Sequence, residues 1–209
     1  MMRIVSAFNR FLEETAAKGE VVNLVFEERL FQLIGLLHRI TGSLGDEGVR
    51  YELVGGMAVL VHVEEADPAQ SMLTRDVDLM IQRSDLERVR EITAKDGFRF
   101  RHSAGLDMLI YDAAESARNA VHLIFSGEKV RPTQAIPNPE IAPEAKVVHG
   151  KSIMVIPVAD LLRMKLSSYR LKDQVHVQVM DAAGLITPEV EHKLPEELLP
   201  RLHHVRQTE

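Results

Sequence analysis

Apolar positions along the chain follow two periods. Phe26, Leu30, Leu33, Leu37 and Ile40 step by four, three, four and three. That spacing predicts a helix over residues 23–43 whose buried stripe is widened by Phe31 and Ile34. A shorter amphipathic helix is expected over residues 3–18, where Ile4, Phe8, Phe11 and Leu12 fall at helical spacing. Gly45, Asp46 and Gly48 end the longer helix. Past them the pattern changes. Residues 51–54 read as a strand, 57–63 as a short helix whose alanine and valine suit packing beneath a sheet, and 76–81 as a second strand. Ser84 followed by Glu87 has the form of a capping box, ahead of a helix over residues 85–95 that Asp96-Gly97 stops.

The second half continues the alternation. Residues 98–101 and 107–111 read as strands joined by a Ser-Ala-Gly turn, and AVHLIF at 120–125 as another, closed by Ser126-Gly127. Residues 131–146 hold several prolines and no period, which leaves a long ordered loop or a mobile lid. A hairpin turning at Gly150-Lys151 is expected over 147–155. Helices follow at 157–168, from Asp173 to Gly184 and at 195–204. The order predicts an α/β (α+β) fold, a mixed sheet flanked by helices. N-terminal helices (1–48), an α/β core (49–156) and a C-terminal helical segment (157–209) form three parts or one continuous domain.

Chemistry concentrates between Tyr51 and Ile81. Asp76 and Asp78 are two apart on a strand that otherwise wants burial, so their carboxylates emerge on one face. Crowding two carboxylates there is unfavourable unless a cation compensates, and such pairs suit hard divalent ions that share a substrate phosphate. Upstream, Gly55-Gly56 permits a tight turn and close backbone approach, and the helix that follows presents its N-terminus to an anion. The plainer alternative has Asp76 flanking the strand and Asp78 solvated on an edge.

Leu53-Val54-Gly55-Gly56, followed by Thr74-Arg75-Asp76-Val77-Asp78-Leu79, resembles the core signature of the nucleotidyltransferase superfamily related to polymerase beta. More narrowly, it is similar to the bacterial branch that contains abortive-infection nucleotidyltransferase toxins, with the toxin-antitoxin setting that this implies. A second stretch carries the resemblance: Lys165, Arg170, then Lys172-Asp173 opening a helix. The resemblance implies Mg2+ (or Mn2+) on Asp76 and Asp78, and an NTP substrate held by Gly55, Gly56, Thr74, Lys165 and Arg170. A nucleoside monophosphate would pass to an acceptor that is RNA, protein or a small molecule.

Two positions depart from the pattern. His122 stands where relatives carry a third metal-binding acid, and His176 where they carry another acid after Asp173. Imidazole suits manganese, zinc or iron better than magnesium. His122 is therefore a ligand in a changed metal site, or two acids and water suffice, or catalysis is lost while nucleotide binding or a regulatory role persists. Asp107, Asp112 and Glu128 are nearby acids that could substitute, Asp107 first because it lies on a predicted strand. His122 and His176 would form a different metal site if they met. Asp173 is a helix N-cap or a direct participant, and Arg75 a phosphate contact or a snorkelling surface residue.

Composition narrows the partners. With 209 residues, 45% apolar and 27% charged, the chain reads as a soluble globular protein. A net charge of -6 argues against a broadly basic nucleic-acid surface and weakens the case for a large RNA acceptor. The absence of cysteine excludes disulfides, thiolate zinc sites and cysteine nucleophiles, and agrees with a cytoplasmic location. The longest apolar run, Leu53 to Val63, is about half a bilayer span, so no membrane association is expected. No Gly-x-Ser-x-Gly, His-Glu-x-x-His or Gly-x-Gly-x-x-Gly pattern points to another chemistry.

Overall fold

The computed structural model describes residues 28–72, 74, 76–112 and 120–208. The expected helix over 3–18, the first turn of the next helix and Arg75 lie outside them. The first described element, α1, spans residues 28–46 and buries Leu33, Leu37 and Ile40 of the predicted stripe, together with Leu36 and Leu44. Leu30 and Ile34 are half-buried, and Phe26 lies outside the described residues. Phe31 does not widen the stripe. Its side chain lies off that face, 58% exposed, and meets only the edge of His149 among aromatic neighbours described. The helix also runs through Gly45 and ends at Gly48, whose φ of 66° supplies the left-handed turn.

The strands are β1 (Tyr51–Val54), β2 (Val77–Ile81), β3 (Phe98–Ser103), β4 (Leu106–Tyr111), β5 (Ala120–Phe125), β6 (Glu144–Val148) and β7 (Lys151–Val155). They form one mixed seven-stranded sheet in the order β3-β4-β5-β2-β1-β7-β6. β2 runs parallel to β5, and β1 parallel to β7, while the remaining pairs are antiparallel. The central strands carry near-continuous apolar runs because both faces are covered. The helices are α2 (Gly55–Ala66), α3 (Leu86–Lys95), α4 (Val158–Ser168), α5 (Leu171–Ala182), α6 (Pro188–Glu191) and α7 (Leu199–Gln207). One apolar cluster runs from α1 through the sheet to α4, α5 and α7. This is the mixed α/β architecture that the alternation predicted.

Several boundaries differ from expectation for local reasons. Ser84 does not cap α3; it sits inside a 3-10 turn over Arg83–Asp85, and the helix starts at Leu86 without a side-chain cap. The β6–β7 hairpin turns on His149 and Gly150, both at positive φ, and Lys151 already begins β7. α5 begins at Leu171, two residues before Asp173. The proline-containing stretch after β5 is an ordered loop. Asn138 donates to Phe125 O, Ser126 to Pro139 O, and Ser167 of α4 bonds both N–H and C=O of Ile136. At the far end Arg50 donates to Ile141 O, and the buried carboxylate of Glu52 accepts from the N–H of Ala142.

Candidate active site

β2 sets the centre of the site. Asp78 pairs with Val54 of β1 on one side and His122 of β5 on the other, and His122 pairs with Met108 of β4. Asp76 precedes the strand by one residue, so the two acids share a face. That face looks into a cleft of about 240 Å³, whose lining includes Gly55, Gly56, Asp76, Asp78, His122, Lys165 and Arg170.

The two glycines are required by what they touch. Gly55 opens α2 at a φ of 71°, and a Cβ there would lie 2.0 Å from Asp78 Oδ2. A Cβ on Gly56 would lie 2.6 Å from Thr74 Oγ1 and 3.5 Å from His176 Cε1. Backbone at the start of α2 therefore packs directly on the acid-bearing strand, a closeness that no side chain permits. Thr74 borders Gly56 and donates to Asp76 O, just ahead of β2, at 3.4 Å.

The opposite wall comes from α4 and α5. Lys165 is only 5% exposed, and burial lowers its pKa to about 8 against the pull of Asp173 and Asp78. Its Nζ lies 3.7 Å from Asp173 Oδ1. Arg170 is not left free to face a ligand alone: Nε and Nη2 donate to the Asp173 carboxylate at 2.7 and 3.2 Å. Burial pushes Asp173 upward, but Arg170 and Lys165 outweigh it and hold the carboxyl below its ordinary range. Asp173 is thus neither the N-cap nor solvent-facing. It occupies the third helical position, accepts from the Arg170 backbone N–H, and anchors both cations at the cleft.

His122 turns toward the acids. Its Nδ1 lies 3.0 Å from Asp78 Oδ1, and that hydrogen bond raises the imidazole pKa over the opposing effect of burial. His176 is different. It is not among the cleft's lining residues, its Nδ1 is buried without a partner, and burial together with Lys165 lowers its pKa to about 4. Among the described residues no group of three or more His, Asp or Glu side chains is arranged to hold a metal, and His122 lines the cleft while His176 does not.

The substitute acids lie elsewhere. Asp107 pairs with Leu123, one residue out of phase with His122, and faces the other side of the sheet. There it takes His102 Nδ1 at 2.5 Å and Arg83 Nη1 at 3.2 Å. Glu128 is bound by Arg83 and Asp112 by Arg99. The residues that sequence reasoning missed come mainly from the ordered loop: Val130, Arg131, Gln134 and Asn138, with Lys172 at the start of α5. Lys172 stood inside the basic stretch that drew attention to Lys165 and Arg170. The loop residues gave no periodic signal.

The donor set fits a hard cation in one specific manner. Among the described residues no lysine or arginine forms an ion pair with Asp76 or Asp78; the one basic partner is His122, on Asp78 Oδ1, which leaves Asp78 Oδ2 and the Asp76 carboxylate for a cation. Two such carboxylates beside a backbone cradle suit an ion that completes its shell with phosphate oxygens and water, as magnesium does.

Two groups outside the cleft, buried Glu52 and half-buried His176, oppose each other in pH. Burial raises Glu52 to about 7, Asp160 adds to the rise, and Ala142 N–H and Arg50 resist it. Its folded pKa exceeds the unfolded one, so its stabilising contribution is complete below about 4.5 and is lost as pH rises through about 7. His176, near Lys165, Lys172, Arg170 and Asp173, is depressed, so stability is instead lost as pH falls from about 6.5 toward about 4. Glu52→Gln is expected to leave stability rising with pH across this window, and His176→Gln to leave it falling. Each slope should approach about 1.4 kcal/mol per pH unit at its steepest. Urea unfolding at a series of pH values checks both signs.

No protein-family model matches the chain, and no curated protein matches it. Solved structures do. The chain is similar to ANT(2")-Ia in complex with adenylyl-2"-tobramycin, at 13% identity over 84% of this chain and 97% of that one, with a TM-score of 0.54. It is similar to an antigenic nucleotidyltransferase-like protein from Paracoccidioides brasiliensis, at 17% identity over 85% and 88% of the two chains and a TM-score of 0.57. The fold is that of a nucleotidyltransferase. The Megavirus polyadenylate synthase shares it at 11% identity and a TM-score of 0.51, over 85% of this chain and 38% of that one. Within this nucleotidyltransferase fold, no helix among the described residues is long and apolar enough to cross a membrane.

Proposed function

We propose that the protein transfers a nucleoside monophosphate from an NTP to an acceptor hydroxyl, using a divalent cation held by Asp76 and Asp78. One observation carries the reading: a single cleft unites the Gly55-Gly56 cradle, two carboxylates that no described lysine or arginine pairs with, and the buried amine of Lys165. The acceptor oxygen bonds to the α-phosphorus, the bond from that phosphorus to the bridging oxygen breaks, pyrophosphate leaves, and the hydroxyl proton passes to water. Mg2+ or Mn2+, when bound, neutralises charge on the phosphate oxygens. Backbone N–H groups at the start of α2 and the Lys165 ammonium receive the β- and γ-phosphates. Arg170 fixes Asp173, and through it Lys165. His122 acts as a positioning residue that holds one oxygen of Asp78. Placement near the abortive-infection toxins rests on the Gly-Gly and Asp-x-Asp motifs alone, and so does a cytoplasmic, toxin-antitoxin-like setting.

Incubation with NTPs labelled at the α-phosphate, with Mg2+ or Mn2+, tests the activity. Labelled product from the wild type and none from Asp76→Ala/Asp78→Ala supports an enzyme. NTP binding without turnover under every metal condition supports the second reading, a degenerate nucleotide-binding or regulatory protein. That reading is favoured by His122, which places a nitrogen where the resemblance expects an acid. In either case Lys165 predicts a pH effect. Because its pKa is lowered to about 8, NTP affinity should fall as pH rises through that value. The decline should vanish in Lys165→Met, which starts about tenfold or more weaker at neutral pH for want of a charge-assisted bond. Titration of a fluorescent NTP analogue between pH 6.5 and pH 9.5 reads both (roughly the span over which such an amine titrates).

A further inference from the structure

The cleft has two chemically different ends, and strand order assigns them. From β1 outward its floor runs from Gly55 past Asp78 and His122 to Leu106 on β4. Neighbouring strands are about 4.8 Å apart, so the floor is roughly 14 Å across. The Gly55-Gly56 end lies against α5, where a Cβ on Gly56 would stand 3.5 Å from His176 Cε1, and Asp173 of α5 holds Lys165 and Arg170. In-line displacement requires the attacking oxygen opposite the leaving pyrophosphate. With phosphates at the glycine end, the acceptor enters from the β5–β4 end, an assignment that rests on the nucleotidyl-transfer reading above.

That end is lined by Leu106, Ile124, Val130, Arg131, Gln134 and Asn138. Among the described residues, the acids lining the cleft are Asp76, Asp78 and Asp173, which belong to the catalytic row and the phosphate end. The neighbouring carboxylates Asp107 and Glu128 are both taken by Arg83, whose guanidinium also lies 3.4 Å over the Phe125 ring. Gln134 and Asn138 are buried, and their internal bonds are few: Gln134 Oε1 accepts from Arg131 N–H, Gln134 Nε2 donates to Asn138 Oδ1 at 3.5 Å, and Asn138 Nδ2 donates to Phe125 O. Each amide nitrogen carries two protons, so each keeps one for a ligand.

We propose that the acceptor is an uncharged or anionic hydroxyl compound with an apolar face, seated on Leu106, Ile124 and Val130 and oriented by the amides of Gln134 and Asn138. Polycationic acceptors are expected to bind worst, because among the described residues this end offers them Arg131 and no uncommitted carboxylate.

Ligand-observed NMR on the full chain, with Mg2+ and a non-hydrolysable NTP analogue, tests this with three probe sets: neutral aromatic glycosides, carboxylated aromatic glycosides and polyamino aminocyclitols. The neutral and carboxylated sets are expected to bind, and Ile124→Ala or the surface variant Val130→Asp should weaken the neutral set by about tenfold. Nucleotide-analogue binding by these variants should stay within about twofold of wild type, since they sit at the far end of the cleft. Preferential binding of the polyamino set, binding by no set, or neutral binding indifferent to both variants overturns the proposal. Failure of the wild type to bind the nucleotide analogue overturns the nucleotidyl-transfer reading and this inference with it. Nucleotide binding with the wrong acceptor set overturns this inference alone.

Discussion

Replacing Asp78 by asparagine is expected to cut nucleotidyl transfer by about 10³-fold or more while leaving the fold at least as stable as wild type. On the proposed function the two effects separate, because Asp78 would serve the cation site at the expense of the sheet. Its carboxylate shares a face with Asp76 on a strand whose other residues are fully buried. Asparagine keeps the shape, and its amide oxygen can still accept from His122, which in the wild type lies 3.0 Å from Asp78 Oδ1. What disappears is one of the two charges that would hold a cation against the phosphates. The loss amounts to about 4 kcal/mol of transition-state stabilisation, with no cavity created. Parallel measurement of label transfer and urea unfolding reads both halves. A large loss of stability would mean that the aspartate is structural and the cation site misassigned.

Gly55→Ala should damage both stability and activity. At a φ of 71° any L residue is strained, and the added methyl would stand 2.0 Å from Asp78 Oδ2. Strain and overpacking together cost about 2–4 kcal/mol. Relief comes from moving the carboxylate, and a displacement of about 1 Å at a reacting centre costs roughly 10²-fold in rate. Gly35 is the control. It lies inside α1 with open space where its Cβ would stand, so Gly35→Ala should stabilise by about 0.5–1 kcal/mol and leave transfer unchanged. Thermal unfolding and initial rates on the two alanine variants distinguish a strained, contacting glycine from an ordinary helical one.

The parts of the site that were legible in the sequence are those encoded by neighbours along the chain. Strand, Gly-Gly, helix and Asp-x-Asp occupy one stretch of about thirty residues, and period-two geometry suffices to put Asp76 and Asp78 on one face. Lys165 and Arg170 were legible as cations at a helix junction. Their inequality was not. Arg170 spends its fork on Asp173 because α5 begins two residues earlier than the charge pattern suggests, which turns Asp173 into an anchor within the first turn. Asp107 was misplaced through parity. LDMLIY is apolar on both faces, so its composition does not say which residues oppose His122, and a shift of one reverses the answer. The loop that carries Gln134 and Asn138 is held by long-range bonds to Phe125 and Ser167, which leave no periodic trace in the sequence. Phe31 shows the converse, an apolar residue at apparently helical spacing that faces outward.

The most direct measurement is calorimetric titration of the wild-type chain with a non-hydrolysable NTP analogue, with Mg2+ and then with excess EDTA. One nucleotide per chain is expected, weakened about tenfold or more by EDTA because Asp76 and Asp78 would hold an ion that neutralises phosphate charge. Asp76→Ala/Asp78→Ala should bind equally weakly with and without the metal. Nucleotide binding that is unaffected by EDTA and by the double substitution, or no binding under any condition, would contradict a metal-and-phosphate site in this cleft.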